Sequence, residues 1–175
     1  KKLNIPIYAT KLTIGLMENK LEEHKLNASA KLNVVKQGQT IVLGKFRVEF
    51  IRSCHSIPDA VALAIHTPVG TVVHTGDFKI DCTPMSGGMI NLSRFAQLGD
   101  EGVLALLADS TNASRSGYTA TEQTVAESFD TLFRRARHSR IIIATFASNI
   151  SRVQQIINCA IKFDRKVAFS GRSMV

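Results

Sequence analysis

A chain of 175 residues, 45% apolar and 21% charged, is long enough for one sizeable core and too mixed in composition for a disordered or fibrous protein. Its formal net charge of +8 favours polyanionic partners, although a basic surface kept for solubility gives the same balance. Three widely spaced cysteines without a CxxC pair (Cys54, Cys82 and Cys159) argue against a disulfide framework or a cysteine zinc site, and no apolar run approaches the roughly 20 residues of a membrane helix. A reducing, cytoplasmic setting without a membrane is the expectation.

In chain order, Ile5 to Ala9 reads as a short strand. Thr10 offers an N-cap to a helix built on Leu12, Leu16 and Leu21 and ending near Lys25. Lys31 to Val35, Thr40 to Leu43 and Phe46 to Ile51 have strand character, with Gly38 and Gly44 in the turns. Val61 to His66 and Thr71 to His74 flank Thr67-Pro68-Val69-Gly70, a hairpin connection across which His66 and His74 could face each other. The first hundred residues are therefore expected to be mostly strands. Val103 to Ala108 adds another, ending at Asp109.

Beyond Asp109 the pattern changes. Ser110 to Tyr118 is a polar loop, and Thr121-Glu122 opens a helix running to about Arg137. Ile141 to Thr145 predicts a buried strand, Ser148 a cap for a helix through about Phe163, and Lys166 to Phe169 a further strand. Strand, helix, strand in that order predicts a βαβ unit with parallel pairing. The fold class is α/β, with a boundary near residue 120.

The chemistry-bearing side chains fall at strand ends. His55 follows one apolar strand and Asp77 another, an imidazole and a carboxylate that could share a metal ion. An aspartate in a turn and a hydrogen-bonded histidine would look the same. Asp109 has an Asx turn over Ser110-Thr111 as its ordinary explanation. Phe146-Ala147-Ser148-Asn149 lies where a strand meets a helix N-terminus, whose free N–H groups suit phosphate as well as a plain cap. The cluster Arg134, Arg135, Arg137 and Arg140 suits either a polyanion or a helix C-terminus.

Longer blocks are more specific. Ile5-Pro6-Ile7-Tyr8-Ala9-Thr10, the stretch from Cys54 to Asp81 containing His74-Thr75-Gly76-Asp77-Phe78-Lys79, Leu107 to Ala113, Ala144 to Ile150 and Ser170 to Met174 occur in one order. Together they resemble the ribonuclease J family, of the metallo-β-lactamase superfamily and its β-CASP branch. The resemblance implies a partial metallo-β-lactamase αββα fold over 1–120 and the first βαβ part of a β-CASP domain over 121–175. It implies that His55 ligates a metal, that Asp77 bridges two zinc ions, and that Asp109 lies beside them as a second catalytic carboxylate. Phe146, Ala147, Ser148 and Asn149 would contribute to a pocket for the RNA backbone or a 5′-monophosphate. Ser151 stands where many relatives carry histidine.

The implied activity is metal-dependent RNA hydrolysis, both internal and 5′-to-3′ exonucleolytic, in RNA maturation and decay. The family's HxHxDH motif and its C-terminal histidine motifs do not occur in this sequence. The expectation is an internal fragment, inactive by itself, whose parent forms homo-oligomers through regions outside this chain. A hydrolase of a small ester or lactam and a metal-free RNA-binding or scaffolding subunit are the alternatives.

Overall fold

The computed structural model describes residues 5–171 and 174. It is a mixed α/β structure in which two sheets and four helices occur among the described residues. β1 (Pro6–Thr10), α1 (Lys11–Glu23) and β2 (Lys31–Val35) form a strand-helix-strand unit, with β1 and β2 parallel and Pro6 opposite Lys31. Thr10 is the α1 N-cap by position, but its side chain bonds the Thr13 hydroxyl and no backbone N–H. The α1 donor is satisfied from a distance: the Leu12 N–H donates to Asp59 Oδ2 at 2.9 Å.

The second sheet runs β3 (Thr40–Leu43), β4 (Phe46–Arg52), β5 (Val61–Thr67), β6 (Gly70–His74), β7 (Ala105–Leu107). Neighbours from β3 to β6 are antiparallel and β7 joins β6 in parallel. The β5–β6 hairpin closes over Pro68-Val69, with the Thr67 hydroxyl donating to the Gly70 carbonyl at 2.8 Å. His66 lies opposite Thr71, its Nδ1 3.1 Å from the Thr71 hydroxyl, while His74 lies opposite Leu63. The two histidines therefore do not face each other. A two-residue loop sets this register and leaves them on different cross-strand pairs.

Ile51, Ala62, Ala64 and Val73 form the core of this sheet together with Leu98 of α2 (Leu92–Glu101), a helix the strand-rich expectation missed. Its signals are local. Asn91 accepts from the Arg94 N–H, Phe95 and Leu98 repeat at helical spacing, and Gly102 ends it at φ 93°. No described helix is long and apolar enough to cross a membrane.

α3 (Glu122–Arg135) begins at Thr121, whose hydroxyl accepts from the Thr124 N–H. It packs on α4 (Ile150–Lys162) through Phe133, Cys159 and Ala160, with Phe163 closing the pair at a ring separation of 6.0 Å from Phe133. The Arg134 guanidinium at the end of α3 pairs with Asp130 at 2.8 Å, which accounts for one member of the arginine cluster.

Two expectations here are corrected. Among the described residues, neither 141–145 nor 166–169 is paired in a sheet, so the βαβ ladder expected over 121–175 is not seen there. Burial does alternate along 141–145, with Ile141 and Ile143 against the α3–α4 cluster and Ile142 89% exposed, but apolar alternation supplies no hydrogen-bonding neighbour. The α4 N-cap is Asn149 and not Ser148: Asn149 Oδ1 accepts from the Arg152 N–H at 3.0 Å. Ser148 lies one residue too early, in the turn closed by the Asn149 N–H and the Phe146 carbonyl. Asn149→Ala should lower stability by about 1 kcal/mol in thermal denaturation and Ser148→Ala by much less. The reverse order would return the cap to Ser148.

Candidate active site

Strand direction brings the candidate residues together. β4 and β6 run the same way, each antiparallel to β5, and β7 is parallel to β6. The chain therefore leaves β4, β6 and β7 at one end of the sheet. His55 follows Arg52, Asp77 follows His74, and Asp109 follows Leu107 within three residues in every case.

Backbone hydrogen bonds hold the three turns against one another. The Lys79 N–H donates to the Cys54 carbonyl at 2.8 Å, linking the Asp77 turn to the residue before His55. The Thr75 N–H donates to the Leu107 carbonyl, and the Asp109 N–H donates to Thr75 Oγ1, both at 3.0 Å. The Phe78 N–H reaches Asp109 Oδ2 at 3.4 Å. Gly76 makes the turn possible. It sits at φ 58°, and a Cβ there would come within 3.3 Å of the Val61 carbonyl oxygen. His74 serves this turn by accepting from the Gly76 N–H through Nδ1 at 3.0 Å.

His55 and Asp77 are both exposed, whereas Cys54 is buried. Burial pushes the Cys54 thiol up from its ordinary value, with Asp81 adding to the effect. The His55 ring is oriented by Ser56, whose hydroxyl lies 3.1 Å from Nδ1. Asp109 does form the Asx turn: its Oδ1 accepts from the Thr111 N–H at 2.9 Å and from the Thr111 hydroxyl at 2.6 Å. Those bonds hold its carboxyl below the usual carboxylate range, with the Phe78 N–H and the His55 imidazole adding to them. Among the described residues, no three His, Cys, Asp or Glu side chains lie close enough together to hold a metal ion.

The start of α4 reaches the same rim. The Ser151 N–H donates to the Ser56 carbonyl at 3.2 Å, and the buried Ser151 hydroxyl lies 3.0 Å from that of Ser86. The turn from Phe146 to Asn149 thus stands beside the His55 loop, with Phe146 and Ser148 exposed. Arg172 and Ser173 lie outside the described residues.

A charged cluster that sequence reasoning missed joins the Asp77 turn to both helices. Asp81 is 1% exposed; it accepts from the Thr83 N–H at 2.9 Å and the Glu122 N–H at 3.0 Å, and pairs with Lys79 at 3.2 Å. Glu122 in turn pairs with Lys79 and with Arg152, both at 3.0 Å. Burial alone would raise the Asp81 carboxyl, but the Glu122 and Thr83 N–H groups and the Lys79 ammonium hold it below its ordinary value. Glu122 behaves likewise: burial opposes its ionisation and bonds from Lys79 and Arg152 prevail. Glu122 lies 41 residues from Asp81 and 30 from Arg152, so no local pattern announces the cluster.

Residues 138–175 match the family model of the ribonuclease J β-CASP domain. The chain is 47% identical to ribonuclease J of Helicobacter pylori over 99% of its length, covering 25% of that protein. It is 46% identical over its whole length to ribonuclease J of Thermus thermophilus, covering 31% of it. A crystal structure of a protein of unknown function from Enterococcus faecalis V583 shares the fold, with a TM-score of 0.66 at 17% identity over 88% of this chain and 39% of that one. The chain thus spans between a quarter and a third of the length of these curated relatives. Along essentially its full length, it is a homologue of part of ribonuclease J.

Proposed function

We propose that this chain is the part of a metal-dependent ribonuclease that joins a metallo-β-lactamase half, over 1–120, to the start of a β-CASP domain, over 121–175. The observation that carries this is the departure of His55, Asp77 and Asp109 from one end of a single sheet, with the start of α4 docked on Ser56 beside them. A small ester or lactam would need no such second element at the rim.

The donors suit zinc in kind and fall short of it in number. His55 and Asp77 are the ligands proposed here, and a catalytic zinc keeps three protein ligands, so the remainder would come from other parts of the protein. Ser56 on Nδ1 leaves His55 Nε2 to ligate, and Asp77 offers both carboxylate oxygens from an exposed turn. Bound zinc would supply Lewis-acid charge for a phosphodiester and acidify a water molecule. Asp109, held ionised by Thr111, would contribute as a neighbouring carboxylate that orients and accepts protons. The exposed turn of Phe146, Ala147, Ser148 and Asn149 would receive the RNA backbone or a terminal 5′-monophosphate.

The test is digestion of a 5′-monophosphorylated RNA and of a circular RNA by the full-length protein. Both activities should disappear after stripping with a chelator and return with zinc. Activity that survives stripping would remove the metal from the proposal. RNA binding with no cleavage under any metal would favour the scaffolding subunit.

A further inference from the structure

A cavity of about 360 Å³, within the range of small-ligand sites, is lined in part by Asp109. Phe78 and Ile80 form one wall and the loop carrying Asn112 and Tyr118 forms the other. The loop is built and not trailing: the Ala113 N–H donates to the Ser110 carbonyl and the Arg115 N–H to the Asn112 carbonyl, both at 3.0 Å. Gly117, at φ 99°, then turns the chain so that Tyr118 is presented in full to solvent. A tyrosine normally buries a large part of its ring, so a bare one on a cavity rim calls for a partner.

The charges in this cavity are already committed. Lys79, its cation, is paired with Asp81 and Glu122, and the Asp109 carboxylate is engaged by Thr111 and Phe78. A phosphate would meet a carboxylate and no free cation. A neutral, flat group would meet aromatic and apolar walls, with the Asn112 amide able to donate and accept at its edge. In a chain of net charge +8, this is a recess without an unpaired cation at the candidate catalytic carboxylate Asp109.

We propose that the recess is a nucleobase subsite, in which a base of the RNA next to the cleaved phosphodiester stacks on Tyr118. The assignment rests on the proposed ribonuclease function and adds the base-binding element to it. Stacking on an aromatic side chain tolerates any base and does not depend on salt, unlike contacts to the backbone.

The experiment measures binding of a fluorescein-labelled single-stranded oligoribonucleotide, and of a same-length oligomer of abasic residues, to the full-length protein stripped of metal. Tyr118→Ala should weaken binding of the intact RNA about tenfold. Tyr118→Phe should stay within about twofold of wild type, and the slope of affinity against salt should not change. The abasic oligomer should bind wild type and Tyr118→Ala equally. Melting temperature, recorded alongside, separates a lost base contact from a damaged fold. Equal binding of intact RNA by wild type and Tyr118→Ala overturns the subsite and leaves the ribonuclease proposal standing. Equal losses for intact and abasic oligomers also overturn it, since Tyr118 would then act through the loop. Failure of wild type to bind RNA at all removes both.

Discussion

Asp77→Ala in the full-length protein should abolish digestion of 5′-monophosphorylated RNA while the melting temperature barely moves. The side chain is exposed on a turn whose shape is set by Gly76, His74 and the Lys79–Cys54 backbone bond, none of which the substitution touches. Loss of an exposed turn carboxylate costs the fold no more than about 1 kcal/mol. In the proposed role, loss of a direct ligand should exceed the 10–100-fold effects known for groups that merely support ligands, and a carboxylate shared by two ions would take one ligand from each. Steady-state cleavage rates beside a thermal melt separate the two effects. Cleavage within a few-fold of wild type would return Asp77 to an ordinary turn residue.

Asp81→Ala should do the opposite, unfolding the protein more readily by about 3 kcal/mol. Breaking a buried charge pair costs about 3–5 kcal/mol because the partner is left without compensation. The lower end applies because the Lys79, Glu122 and Arg152 side chains remain 19%, 18% and 27% exposed. The substitution strips acceptors from two backbone N–H groups, those of Thr83 and Glu122, and the second opens α3. Asp81→Asn, which keeps the shape and one acceptor, should fall between. The acid limb carries a further signature. Asp81 and Glu122 both titrate lower in the folded protein than in the unfolded chain, so their stabilisation is fully present above the unfolded carboxylate values of about 4. It is lost as pH falls through their depressed folded values. The gap between wild type and Asp81→Ala in urea midpoint should therefore be widest near neutrality and close below about pH 4. A gap that stays constant with pH would mean that packing, and not charge, is what Asp81 contributes.

What could be read in the sequence was whatever a local pattern encodes. The apolar, β-branched content of Lys31–Val35 and Thr40–Leu43, and the Pro68-Val69 hairpin, gave strands that recur in the structure with little change. Thr121 gave its cap because a hydroxyl before a helical run is self-sufficient. At Asn149 the same logic failed by one residue, since Ser148 and Asn149 are both good caps and only the backbone trajectory selects between them. The strand expected over 141–145 failed for a different reason: pairing is a property of two segments, and the sequence of one does not supply the other. Asp59 on the start of α1, and Asp81 on the start of α3, join residues 47 and 41 positions apart and follow from tertiary approach alone. The His55, Asp77 and Asp109 set is a proposal that rests on the family blocks. The reason these residues meet, three strands that share a direction, required the pairing.

The segment 141–145 has a practical consequence as well. It is extended, carries no strand partner among the described residues, and presents Ile142 with Phe146 following, both more than four-fifths exposed. Unpaired N–H and C=O groups beside bare apolar side chains form a template to which any similar edge can add, including that of another copy. Produced by itself at high concentration, the chain would thus be prone to precipitate through Ile142 and its neighbours, and a loss of soluble yield would say nothing about the proposed metal ligands. A lysine at position 142 would blunt that edge, as natural sheet borders do, without touching the rim that His55, Asp77 and Asp109 share.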